Sequence, residues 1–191
     1  MNTPKLIVMC GLPRAGKSTW IELNKVDEIV VSNDWIRENI FQNHYSRSIN
    51  PSIWMITDSV LRILLGQGKS VILDGVNLTK RTRKEFLDTA KECGAKTEIV
   101  FLTTDIRECI ERNTTDHKLP HDKLTTMCLS LEMPSEDEAD ILTIVKDSKA
   151  PPDNYWHYHH IGCGTMYRGC HPTACPKNQY EETGIWKRKW E

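Results

Sequence analysis

An α/β fold is predicted: a parallel sheet flanked by helices, with a small Cys/His-rich C-terminal module. Three observations predict it. Short apolar runs alternate with helical patterns between residues 5 and 145. The first apolar run ends in a glycine-containing loop that leads into a helical stretch. Hydrophobic periodicity weakens after Ala150-Pro151-Pro152, which reads as a hinge between residues 1–149 and 150–191.

The elements follow in chain order. Lys5–Cys10 is short, wholly apolar after its lysine and closed by Gly11, the pattern of a buried parallel strand. Thr19–Leu23 has helical character. Glu28–Ser32 is the second strand and Asp34–Phe41 the helix after it. Pro51 opens a long helix through Leu65, with Trp54, Val60, Leu61 and Leu64 near helical spacing and Gly66 and Gly68 as its stop. Ser70–Asp74 is the third strand and Thr79–Glu92 a helix stopped at Gly94. Thr97–Leu102 is the fourth strand and Ile106–Arg112 a helix. Residues 113–122 are polar and break at Pro120. Leu124–Leu131 is helical, and Ile141–Val145 is the fifth strand. Such alternation joins parallel strands by right-handed crossovers.

With 191 residues the chain has room for one main domain and a small appendage. Hydrophobic residues at 39% and charged residues at 27% fit a globular chain rather than a disordered one. No apolar run approaches the ~18 residues of a membrane span, and residues 1–11 lack a signal-peptide pattern. The formal net charge of −1 excludes a globally basic nucleic-acid binder and leaves only a local patch. Seven cysteines, an odd number, argue against a disulfide framework.

Residues 11–19, Gly-Leu-Pro-Arg-Ala-Gly-Lys-Ser-Thr, match G-x-x-x-x-G-K-[ST] with a strand before and a helix after. Gly11 and Gly16 let the backbone curl so that N–H groups face an anion, with Pro13, Arg14, Ala15 and Thr19 completing the loop and helix start. The helix adds its positive N-terminal end. Lys17 is expected to reach the β- and γ-phosphates of ATP, and Ser18 to ligate Mg²⁺. In the ligand-free protein Lys17 is expected to face solvent. This is a P-loop NTPase pattern. Asp74 ends a hydrophobic strand, where a carboxylate approaches the metal or the acceptor. Asn77 either contacts substrate or caps the next helix.

Asp34 directly follows the second strand, at the strand end where doubly wound sheets bind ligands. It suits a base that takes the proton of an acceptor hydroxyl, and equally an N-cap of the next helix. Arg37, at i+3, shares a helical face with it and suits an acceptor phosphate.

Whole segments carry a resemblance. GLPRAGKSTW, SNDWIRENIF, VILDGVNLTKRTRKEF, IRECIERN and PSEDEADILTIV, spanning Lys5–Lys146, resemble the polynucleotide 5′-hydroxyl kinase branch of P-loop kinases, enzymes related to phage-encoded nucleic-acid kinases. The resemblance implies Asp34 as general base, Arg37 as binder of the acceptor's phosphate and Arg112 as a lid arginine on the donor phosphates. It implies a nucleic-acid acceptor, DNA or RNA, and a cytoplasmic setting, the host's for a phage protein. A second lid arginine often present in that branch is absent, since residues 114–118 are Thr-Thr-Asp-His-Lys. The same branch contains kinases of hydroxymethylated DNA bases, of small metabolites and of aminoacyl-tRNA. A nucleotide-switched nucleic-acid-binding protein is the reading from another class.

The C-terminal module holds seven of the 14 aromatics and four of the seven histidines. Cys163, Cys170 and Cys175, with His160 or His171 as the fourth ligand, have the composition of a structural Zn²⁺ site. Lys187-Arg188-Lys189 between Trp186 and Trp190 reads either as a packed C-terminal end or as a contact for single-stranded nucleic acid.

Overall fold

The structure is a computed structural model that describes residues 3–42, 47–114 and 119–146, together with the strand backbone of 178–180 and 186–188. All five expected strands are present: β1 (Lys5–Cys10), β2 (Ile29–Ser32), β3 (Val71–Asp74), β4 (Lys96–Leu102) and β5 (Ile141–Val145). They form one parallel sheet in the order β2-β3-β1-β4-β5. The central strand β1 is apolar because helices cover both of its faces: Leu6, Val8, Met9 and Cys10 are fully buried. The edge strands are less covered, and Val30 of β2 and Ile144 of β5 stay partly exposed.

The helices between the strands are α1 (Lys17–Asn24), α2 (Asn33–Asn39), α3 (Asn50–Gly66), α4 (Lys80–Glu92), α5 (Ile106–Glu111) and α6 (His121–Leu129). In α3 the buried stripe is Ile53, Thr57, Leu61 and Leu65. Of the four residues at helical spacing in the sequence, only Leu61 belongs to that stripe, and Trp54 falls outside it. Its C-terminal stop is Gly68 alone. Gly66 still belongs to the helix, whereas Gly68 adopts φ +75°. Its N–H donates to Leu65 O (2.9 Å) and the N–H of Lys69 to Leu64 O (3.0 Å), a Schellman closure. Helix α6 starts directly after Pro120, three residues before the sequence pattern becomes apolar.

Registry positions the site. Ser32 of β2 lies beside Asp74 of β3, so both strands end at one level and α2 starts next to Asp74. After its carboxyl end β1 is followed by β2 on one side, while its neighbour β4 is followed by β5 on the other. Diverging connections open a crevice between the two strand ends, where ligands bind in such sheets. In the C-terminal stretch, β6 (Asn178–Tyr180) and β7 (Trp186–Arg188) pair antiparallel. The zinc candidates His160, Cys163, Cys170, His171 and Cys175 lie outside the described residues, as does Lys118.

Candidate active site

The phosphate loop leaves β1 through Gly11 (φ +149°), passes Arg14 in the left-handed region (φ +66°) and enters α1 through Gly16 (φ +97°). Gly11 has no room for a side chain: a Cβ there would lie 3.1 Å from the carbonyl of Leu102 at the end of β4. Its N–H donates to Val76 O (3.1 Å), which ties β1 to the segment after β3. On the other side, the Thr104 hydroxyl donates to Ala15 O at 2.8 Å. The loop is thus pinned to the ends of β3 and β4, and residues 13–19 line a cleft of about 1200 Å³. Gly11 itself lies beneath the loop rather than on the cleft wall.

Lys17 does not face solvent. It is 9% exposed, and its Nζ donates to Gly11 O (3.1 Å) and Leu12 O (2.8 Å), folded across its own loop. The carbonyls of Gly11 and Leu12 accept from its ammonium and so hold it away from solvent. Burial lowers the Lys17 pKa, and the negative charge of Asp74 is the largest opposing influence. A desolvated cation amid outward-facing amides fits a polyphosphate. Ser18 and Thr19 are exposed on the cleft, where Ser18 is free to ligate a metal. Arg112 donates from Nη1 to Arg14 O (3.4 Å), and Glu108 holds its Nη2 at 2.5 Å. It therefore stands over the loop, on the donor side.

Across the cleft, Ser32 accepts the Trp35 N–H at 3.3 Å and is the N-cap of α2. This removes the capping alternative for Asp34, which sits exposed in the first turn and lines the cleft. Asp74 lines it too. Its pKa is raised by burial, lowered by Lys17 and raised again by Asp34, so the two carboxylates and the lysine share one field. Asn77 does not cap α4; Thr79 does, accepting the Thr82 N–H at 3.2 Å. Asn77 is instead buried and donates to Met9 O at 2.8 Å. Arg37 donates to Asn50 Oδ1 at 2.6 Å, joining α2 to the first turn of α3.

Other residues of the site have no signal in the sequence. Asn33 lines the cleft, with its Oδ1 held by the buried Thr57 hydroxyl at 2.6 Å. Asn113 brackets residues 114–118, donating to Leu119 O (2.7 Å) and accepting its N–H (3.1 Å). Arg83 is fully buried against Glu138 (2.8 and 3.0 Å) and donates to the carbonyls of Asn77, Leu78 and Glu132. It fixes the segment that follows Asp74. The signal available for Thr104 was position alone: it follows β4, the neighbour of β1. Among the described residues no cluster of three His, Cys, Asp or Glu has the arrangement of a metal site. Among the described residues, Cys10, Cys93, Cys109 and Cys128 are not joined in disulfides. No helix among the described residues is long and apolar enough to cross a membrane.

With this geometry, the chain can be compared with known proteins. It is similar to an L-seryl-tRNA(Sec) kinase of Methanococcus maripaludis, 26% identical over 139 residues that cover 68% of this chain and 53% of that protein. The chain thus spans about half the length of that relative. Its fold is similar to a chain of the Pnkp1/Rnl/Hen1 RNA repair complex, with a TM-score of 0.61 and 21% identity over 69% of this chain and 45% of the other. It is also similar to the Mycobacterium tuberculosis APS kinase CysC, solved with AMPPNP and APS, with a TM-score of 0.59 and 15% identity over 78% and 92% of the two chains. The family model described as the AAA domain matches residues 6–117, more than half of the chain, and the protein belongs to that family, on a P-loop kinase-like α/β fold.

Proposed function

We propose that the protein is an ATP- and Mg²⁺-dependent kinase acting on a hydroxyl group carried by a nucleic acid, with the 5′-hydroxyl as the first candidate. One observation carries the reading: the phosphate loop and two carboxylates, Asp34 and Asp74, line a single cleft. A nucleotide switch needs the loop but has no use for an exposed carboxylate across from it. Bound Mg·ATP supplies the transferable phosphoryl group and neutralises its charge.

The chain's own residues do the rest. The loop amides and Lys17 bind the polyphosphate, and Ser18 would hold the Mg²⁺ that neutralises its charge. Arg112 adds charge where the β- and γ-phosphates lie. Asp34 takes the acceptor's hydroxyl proton as the oxygen–phosphorus bond forms and the bond to ADP breaks. Asp74 orients the metal shell or the acceptor, and Arg37 pairs with an acceptor phosphate. The M. maripaludis relative, whose name specifies a tRNA-borne serine, supports a hydroxyl attached to nucleic acid. Dependence on ATP supports a cytoplasmic location. Residues 1–149 form the kinase unit of this proposal and 150–191 a separate module. About one zinc per purified chain is expected if Cys163, Cys170, Cys175 and either His160 or His171 bind it.

The test is transfer from [γ-³²P]ATP to a panel of 5′-hydroxyl DNA, 5′-hydroxyl RNA, hydroxymethylated DNA, seryl-tRNA and free nucleosides, followed by digestion and location of the label. Label on a hydroxyl of a nucleic acid is the expected result. Label on free nucleosides alone supports a small-molecule kinase, and ATP binding with no transfer supports a switch.

A further inference from the structure

We propose that Trp54 is a stacking wall for the acceptor, so that the reactive hydroxyl belongs to a nucleoside unit whose base lies against the indole. The proposal rests on the kinase reading above and names the chemistry of its acceptor.

The placement comes from α3. Asn50 in its first turn holds Arg37, and Trp54 follows one helical turn later on the same face. Both line the cleft together with Asp34, while the phosphate loop lines the other side. The buried stripe of α3 runs through Ile53, Thr57, Leu61 and Leu65, so Trp54 is not needed to close the core. It remains 37% exposed. An aromatic ring on a cleft wall, beside a guanidinium and a carboxylate, matches the way proteins hold the end of a strand: charge on the phosphate, stacking on the base. Trp20 also lines the cleft but packs partly buried against the core, and Trp35, at 58% exposure on α2, does not line it, which leaves Trp54 as the cleft tryptophan outside the core. A polyol acceptor needs the charges but no such wall for a base.

The test uses the full chain and two acceptors of one sequence: a 5′-hydroxyl oligonucleotide, and the same oligonucleotide with an abasic tetrahydrofuran residue at its 5′ end. Stacking of one base predicts that wild type prefers the base-bearing acceptor by roughly 5- to 150-fold in KM. Trp54→Ala raises KM for that acceptor toward the abasic value and leaves the abasic KM and both kcat values unchanged. Trp54→Phe restores most of the preference, and Trp54→Leu, which keeps apolar volume without a π face, does not. Equal losses on both acceptors, or no preference in wild type, overturn the proposal. If wild type phosphorylates neither acceptor, transfer to 5′ ends fails as a reading. Calorimetric binding of the two oligonucleotides then decides: a base-dependent affinity lost in Trp54→Leu supports the wall, and equal affinities overturn it.

Discussion

In the proposed kinase, the donor half of the cleft is built mostly from main chain, and the acceptor half from side chains. Around the phosphate loop, three positive-φ residues set the curve, and hydrogen bonds from Gly11 and Thr104 pin it to the ends of neighbouring strands. Opposite it, Asp34, Arg37, Asn50 and Trp54 project from two helices joined by the Arg37–Asn50 and Thr57–Asn33 side-chain hydrogen bonds. A backbone cradle recognises what all nucleoside triphosphates share. A side-chain wall can be changed residue by residue without disturbing the sheet. Under the proposed kinase reading, the difference assigns acceptor specificity to α2 and α3.

The largest effect is expected on the donor side. Lys17→Ala removes a charge that stabilises the phosphates during transfer, and single-turnover transfer should fall by at least ~10³-fold. Because burial already disfavours this cation, its thermal unfolding midpoint should change little. A mutant that transfers at the wild-type rate breaks the donor assignment.

Next comes the buried pair behind the cleft. Arg83→Leu strands Glu138 in the core and frees three carbonyls, for an expected loss of about 3–5 kcal/mol in urea unfolding. Arg83→Leu with Glu138→Leu should recover part of that. A single mutant of wild-type stability contradicts the role of Arg83 as the anchor of the segment after Asp74.

pH sharpens the comparison further. Free Lys17 has a lowered pKa, and phosphates at the loop favour its charged form. Nucleotide binding should therefore take up a proton once the pH exceeds the free pKa, and affinity should fall as pH rises through that range. Calorimetry in buffers of different ionisation enthalpy reads the uptake directly. Proton release, or affinity that rises with pH there, counts against it.

The smallest effect separates two glycines of α3. Gly66 is helical with open space around it, so Gly66→Ala should stabilise by about 0.5–1 kcal/mol. Gly68 has the same open space but φ +75°, so Gly68→Ala should destabilise by about 1 kcal/mol. Equal changes in chemical denaturation would show that the Schellman closure does not set the end of α3.

What was legible in the sequence follows the same division. The five strands and the phosphate loop are local patterns, a run of apolar residues or a fixed glycine spacing, and all of them appear in the structure. Asp34, Arg37 and Asp74 are legible from their offsets to strand ends, and Arg112 from the resemblance alone; the structure brings all four to the cleft. What escaped is non-local. The Arg83–Glu138 pair spans 55 positions, and the Asn33–Thr57 bond joins two helices. No period or spacing encodes such pairs. Lys17 is buried rather than solvent-facing because the loop's own carbonyls accept from its ammonium, a contact no motif spacing encodes. The capping role open to Asp34 went to Ser32, and the one open to Asn77 to Thr79, because each helix begins one residue away from the expected start.

The central claim is that Asp34 serves the acceptor and not the nucleotide. The most direct measurement is ATP affinity and single-turnover transfer in Asp34→Asn, side by side. The account predicts ATP affinity close to wild type and transfer slowed by ~10²–10⁴-fold, the range of a lost general base. Weakened ATP binding with transfer intact would contradict it.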